Sequence, residues 1–594
     1  MAKAKSAVTQ RKRGAHRRIS LILLASASVS QGACLRPAMA DDAQIQKLER
    51  EIHEIEAHHQ AEISALRAEI RHLRRAPPVS PEAGVAAANE RLGPRPPGEP
   101  APSLPPKVLM TYDRGYHFGF SDASGWNTIE LFGRLHVDTG GYINYSPGPK
   151  TLDQKGLASG INLRRARIGV VGNFMGDWHY ALIYDFGNTA DGTNPANAFA
   201  NANSSTSPTT SNNYLAGVEN AFITYNGFYK HGGPFPVAID LPGVQDVPWT
   251  MEEATSSNDI MFMERSSAQV VATEFGGGDF RTATGAHSNN DRYWVGAYLT
   301  GPNSGALHTD GASCIGSTAG TPCTTTPSGL GPQLSTLFRA SYQIVQTPDA
   351  SVHLGFNYAN LFDPRIGANV QGVQLYDRPE LRVDPTYFLN TGNIPAHGGQ
   401  VFGAEAAAAW QNFYLQGEYY HYIVDTLKGA TPYTSATSAI SGWTGGTPGP
   451  ALNFNGGYVA ASYTFGGKRL YNPATGAYTG VIPEHPLYFG GPGWGALEVA
   501  GRFSIVDLND RNLSTTVLGP AYSVPGVISG SGSTYGGSRQ TSYGAGLNYY
   551  PNLNMKFMLD YEHVVVDNPL FFGGPNSWRG ATIDWVGGRT QIVF

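Results

Sequence analysis

Six basic residues of this 594-residue sequence, Arg134, Arg165, Arg167, Arg502, Lys556 and Arg589, occupy the polar positions of segments in which apolar and polar residues alternate. A row of guanidinium and ammonium groups can replace part of the hydration of a passing anion. The same groups can instead brace a wall by pairing with acids on the same polar faces, for which Glu130, Asp138, Glu498 and Asp560 are candidates. Both arrangements shape the field in a narrow aqueous space. Bond-breaking chemistry has no support. A hydrolase needs a Ser or Asp nucleophile beside a His base, and none of the 16 His residues accompanies a nucleophile motif. His53-Glu54-Ile55-Glu56-Ala57 lacks the second His of a zinc-protease helix. The sequence therefore reads as non-enzymatic, with no cofactor, metal site or nucleic-acid partner.

Residues 1–40 read as an export signal. Lys3, Lys5, Arg11, Lys12, Arg13, Arg17 and Arg18 precede the apolar run Ile19 to Val29, and Ala38-Met39-Ala40 supplies a small-residue cleavage site. Cys34 lacks the aliphatic residue that a lipidation site carries ahead of it. Cys314 and Cys323 remain after export, in a Gly/Thr/Ser-rich stretch, and in an oxidising compartment they are candidates for a small loop disulfide. Eight of the 41 Lys and Arg and none of the 46 Asp and Glu lie in residues 1–40, which leaves the mature chain at net −13. Any preference for anions must then come from locally placed cations, not from a global field.

Residues 41–75 carry a coiled-coil seam, Ile45, Leu48, Ile52 and Ile55, which shifts frame to Ile63, Leu66, Ile70 and Leu73. His59 falls between the two frames, either as a polar residue that sets register or as an axial anion or metal site. Residues 76–111 hold ten prolines between Pro77 and Pro106 and read as an extended spacer. From residue 112 to the end the period drops to two. Ile129, Leu131, Leu135 and Val137 alternate with Glu130, Arg134, His136 and Asp138, so one face suits lipid and the other water. Ala166, Ile168, Val170 and Phe174 oppose Arg165 and Arg167 and, after the turn Met175-Gly176-Asp177, Trp178, Tyr180, Leu182, Tyr184 and Phe186 oppose His179 and Asp185. The same dyads recur at Leu497 to Ile505 and at Met555 to Glu562. No run of 18 apolar residues exists for a helical span, so a membrane protein of this composition, with 73 Gly and 31 Tyr, must close its strands into an all-β barrel. The alternating last strand ends in Phe594, the terminal residue that outer-membrane barrels present to their assembly machinery.

These residues resemble one family, the phosphate-selective porins O and P. The likeness is carried by Gly133-Arg134-Leu135-His136-Val137-Asp138, Arg164-Arg165-Ala166-Arg167-Ile168-Gly169, Phe262-Met263-Glu264-Arg265-Ser266, Arg378-Pro379-Glu380, Gly403-Ala404-Glu405-Ala406, Leu415-Gln416-Gly417-Glu418-Tyr419, Leu497 to Ser504 and Gly546 to Pro551, in that order. The resemblance implies an antiparallel barrel of about 16 strands, a homotrimer with three separate pores embedded in outer-membrane lipid and lipopolysaccharide, and an Arg- and Lys-lined lumen passing small anions, phosphate foremost. In one place the chain departs from the pattern. Where the family has Gly-Gln-aromatic-Lys-x-Pro, the chain reads Pro242-Gly243-Val244-Gln245-Asp246-Val247-Pro248, and a carboxylate in place of the Lys works against phosphate. Glu264 and Arg265 read as a pair fixing an infolded loop. The expected function is passive diffusion through an outer-membrane channel. The alternative is an envelope tether reaching peptidoglycan through a periplasmic helix.

Overall fold

The computed structural model describes residues 108–594, apart from 114–116, 148–156, 188–216, 232–235, 279–280, 304–332, 511–537, 568–580 and a few shorter gaps between 363 and 490. The signal, the coiled coil, nearly all of the Pro-rich spacer, Cys314 and Cys323 lie outside the described residues.

The dyad repeats form sixteen antiparallel strands, the number implied by the resemblance. In chain order they are β1 (Thr128–Pro147), β2 (Gly160–Phe174), β3 (Trp178–Asp185), β4 (Val218–Tyr225), β5 (Ala238–Gln245), β6 (Arg281–Asn289), β7 (Tyr293–Asn303), β8 (Ser335–Gln346), β9 (Ala350–Leu361), β10 (Ala396–Trp410), β11 (Phe413–Lys428), β12 (Leu452–Phe465), β13 (Ala496–Asp507), β14 (Arg539–Asn552), β15 (Met555–Asp567) and β16 (Ala581–Val593). Each pairs with its neighbour in sequence, and β16 pairs with β1 from Ala581↔Pro147 to Val593↔Arg134, which closes the ring. Phe594 finishes the seam, where its amide donates to the Gly133 carbonyl at 3.0 Å and its carbonyl accepts from the Gly133 amide at 2.7 Å. The Phe594 ring lies so close over Gly133 that a Cβ there would come within 2.2 Å of it. A hairpin of Val108–Asp113 and His117–Asp122 extends the β1 edge beyond this point.

Alternation decides which way each side chain points. On β2 and β3 the outward residues Ile168, Leu182 and Phe186 are 53%, 56% and 63% exposed, whereas Arg167 and Asp185 face inward and are buried. The inside is polar and the outside apolar, the reverse of a soluble core. Short turns such as Met175-Gly176-Asp177 and Gln411-Asn412 mark one end, periplasmic in barrels of this kind, with Met175 and Gln411 held at φ 50° and 52°. Three connections depart from this simple plan by folding into the lumen: 246–278 and 466–495, described in turn below, and the one between β9 and β10, whose Leu375, Leu381 and Leu389 are buried and whose Arg382 and Glu380 reach Glu264 and Arg502.

Candidate pore constriction

The first inward connection is the segment 246–278 between β5 and β6. It contains two short helices, α1 (Met251–Ala254), capped by Thr250, and α2 (Ser267–Thr273), capped by Ser266, whose side chains accept from Glu253 and Gln269 amides respectively. Val247, Trp249, Ala268, Val271, Ala272 and Phe275 pack against wall residues including Trp294, Leu337, Tyr420, Tyr422 and Phe454. Burying an irregular backbone is costly unless its amides and carbonyls find partners. Here the wall provides them. The Glu418 carboxylate accepts from the Met251 and Glu252 amides, and Asp560 accepts from the Met263 amide at 2.7 Å. Tyr422 donates to the Ala268 carbonyl, Asn548 to Met261 and Gln591 to Asn258.

The second is the 466–495 connection between β12 and β13, which starts from the short-turn end and is far longer than its neighbours there. Its hairpin pairs Gly467–Lys468 with Ile482–Pro483 and Tyr471–Asn472 with Ala477–Tyr478. Gly476 sits at φ +62° at the tip, where a Cβ would come within 2.6 Å of Trp294. Arg339 on β8 ties these two inward segments together. It donates to the Pro248 carbonyl of one and the Thr475 and Gly476 carbonyls of the other, while Glu405 on β10 neutralises it at 2.8 Å. Arg469 does the same from the hairpin side, donating to the Asp259 carbonyl and pairing with Glu498.

The six sequence-predicted cations all lie on this framework, in unlike surroundings. Arg589 pairs with Asp138 and Glu264 and donates to the Met263 carbonyl. Arg502 pairs with Glu380 and Glu562, donates to the Glu264 carbonyl and lies over the Phe262 ring. Lys556 donates to the Ile260 carbonyl at 2.6 Å. Arg167 pairs with Asp185 at the end of β3 and with Glu219 on β4. Arg134 donates to the hydroxyls of Ser257 at 2.7 Å and Ser256 at 3.2 Å. Arg165 lines a narrow cleft of about 30 Å³ together with Arg265, Arg382, Glu253, Glu264 and Gln269.

Dyad counting missed Arg164. A register shift between His136 and Val137 inserts one extra residue in β2, so Arg164 and Arg165 are both buried, and Arg164 grips both Glu264 oxygens at 2.8 and 2.9 Å. Arg382 and Arg378, from the connection between β9 and β10, were visible only as part of a family motif or not at all. Arg382 reaches Glu264 at 3.2 Å and Asp377 at 3.6 Å. Arg265 pairs with Glu253 and donates to the Glu252 carbonyl, so Glu264 and Arg265 both fix the segment but through different partners. Burial alone would raise the Glu264 carboxyl, but Arg164, Arg589 and Arg382 outweigh it and hold the group well below the usual carboxylate range. Glu274, at the end of α2, behaves in the opposite way. Its Oε1 is enclosed with no hydrogen-bond donor, and burial pushes the carboxyl up to about 8 against the pull of Arg281.

What results is a narrowed passage whose cleft presents three arginines, Arg165, Arg265 and Arg382, to two carboxylates, Glu253 and Glu264. Among the described residues no group of three or more His, Cys, Asp or Glu is placed to hold a metal ion.

The chain is 24% identical over 558 residues to an uncharacterized protein of Caulobacter vibrioides, covering 90% of this chain and 89% of that one. Among solved structures it is similar to the outer-membrane protein OmpT of Vibrio cholerae in its trimer form, at 10% identity, a TM-score of 0.38, and coverage of 79% of this chain and 99% of that one. It is also similar to an anion-selective porin from Comamonas acidovorans, at 12% identity, a TM-score of 0.37, and coverage of 78% and 100%. The family model for phosphate-selective porin O and P matches residues 129–568, from the first strand of the ring to the end of β15, and a chain matched over that span, with an infolded segment braced by arginines inside a closed barrel, belongs to that family of outer-membrane porins.

Proposed function

We propose that this porin prefers small inorganic anions over cations, and that the preference is modest and not restricted to phosphate. The observation that carries the reading is the cleft beside the infolded segment, where arginines outnumber carboxylates three to two. Most other lumen cations are neutralised by one or two acids each, so they shape the wall and add little net field. Asp246, half-buried at the entry to the segment, adds a negative charge on the same route. Phosphate carries more charge than chloride at neutral pH and needs a denser set of uncommitted donors than this cleft offers. We further propose a homotrimer with a separate pore in each barrel, in keeping with the family. Reversal potentials in a KCl gradient test the preference, and phosphate block of the chloride current tests its breadth. Weak block at millimolar phosphate is expected, and saturating block at micromolar phosphate would show a dedicated phosphate site instead.

A further inference from the structure

At the short-turn end, the inward hairpin and two neighbouring turns leave a cleft of about 250 Å³. Gln343 and Gln346 enter it from the end of β8, Asp349 from the β8–β9 turn, Gln411 from the β10–β11 turn, and Lys468 and Tyr471 from the hairpin. The volume equals that of about eight waters, enough for one sugar ring and too little for an extended chain. The chemistry of the lining is specific. Two exposed glutamine amides, of Gln346 and Gln411, supply both donors and acceptors, and Lys468 and Asp349 bring one charge of each sign, so the cleft favours neither anion nor cation. Arg469, at the back of the cleft, is already taken by Glu498 and by backbone carbonyls. Tyr471 adds a partly exposed ring, a flat surface for stacked C–H groups. Gln343 is 2% exposed. Its Nε2 donates to the Asp291 carbonyl at 3.1 Å and its amide faces Tyr471, so Gln343 forms the floor of the cleft and Gln346 and Gln411 offer the reachable amides.

We propose that this cleft binds a neutral, hydroxyl-rich ligand, a single sugar ring, held by the glutamine amides and stacked on Tyr471. Two sources share that chemistry: a sugar leaving the pore, and a sugar unit of the cell-wall glycan that faces this end of the barrel. The site does not depend on the anion preference proposed above, because its ligand is uncharged and its assay needs no current.

The test is calorimetric titration of the full-length protein in detergent with glucose and with N-acetylglucosamine. Millimolar binding is expected, as befits a few hydrogen bonds and one stacked ring. Gln346→Ala combined with Gln411→Ala, two exposed positions at the rim whose loss leaves the strands untouched, should weaken it about tenfold or more. Tyr471→Phe should retain most of the binding and Tyr471→Ala should lose it. Two further arms assign the source. A drop in conductance when glucose is added on the short-turn side points to a permeating sugar. Co-sedimentation with purified peptidoglycan sacculi, reversed by free N-acetylglucosamine, points to the cell wall. No heat with either sugar overturns the proposal, and so does binding that survives in the double alanine variant.

Discussion

Arg134, Arg165 and Arg167 look equivalent in a period-two reading, yet their surroundings give them different work. Arg167 is shared by Asp185 and Glu219, all three buried. Replacing it with Gln removes the cation that these two carboxylates share, a loss of about 3–5 kcal/mol by analogy with other broken buried pairs. Arg167→Gln should therefore lower the temperature at which the barrel loses its compact migration on semi-native gels. Arg134→Gln with Arg165→Gln should fold normally and reduce the anion-to-cation permeability ratio, most visibly at low salt, where screening is weakest. Glu274 makes a pH prediction whose sign follows from its raised value. Below about 8 the group is neutral, and above it a negative charge arises beside Arg281. Anion preference should fall between pH 7 and 9, and Glu274→Gln should reduce that dependence in reversal-potential measurements. Alternation told which way Arg502, Lys556 and Arg589 point, because direction on a strand is a local property. Asp138, which pairs with Arg589, was among the acids the alternation offered, but most of the other partners belong to a segment some 240 to 330 residues away in sequence and were illegible. Arg164 was hidden because a bulge breaks the very period that was being counted.

At the scale of elements, the strands announced themselves and the inward segments did not. A strand with one face to lipid and one to water leaves a dyad signature, as in Met555 to Glu562, whose outward Phe557, Leu559 and Tyr561 and inward Lys556, Asp560 and Glu562 fall where the sequence placed them. Segment 246–278 is buried on all sides inside the lumen, so neither period survives in it, and only the run Phe262 to Ser266 hinted at infolding. The 466–495 hairpin is made of two-residue strands too short to register as a pattern. It occupies lumen cross-section, and Arg339 and Arg469 lock it to the segment above. Replacing residues 468–482 with a short turn should raise single-channel conductance severalfold while leaving the barrel closed. An unchanged conductance would mean that the hairpin does not restrict the ion path. Gly476→Ala, strained at φ +62° and crowded by Trp294, should produce a smaller change in the same direction.

For the whole molecule, closure of the ring fixes everything else, because a barrel has no free edge in the membrane. The Phe594–Gly133 junction completes that closure, so Gly133→Ala, which forces a methyl into the Phe594 ring, should slow assembly without altering the pore of barrels that do form. The chain is net negative, −5 over its full length and −13 without residues 1–40, so the overall field opposes anions and the account stands on the local excess of arginines at the constriction. Deleting residues 41–106 should leave conductance and selectivity intact, because every residue assigned to the pore lies in the barrel. Loss of envelope integrity in that deletion would favour an added tethering role for residues 41–106. The central claim is most directly tested by inserting the purified, signal-cleaved protein into planar bilayers under a tenfold KCl gradient at low ionic strength and pH 7, and reading the zero-current potential. The account predicts discrete channel steps and a potential of the sign that marks chloride as the more permeant ion, displaced toward zero in Arg134→Gln/Arg165→Gln. A potential of the opposite sign, or one that the double substitution leaves unmoved, would contradict it.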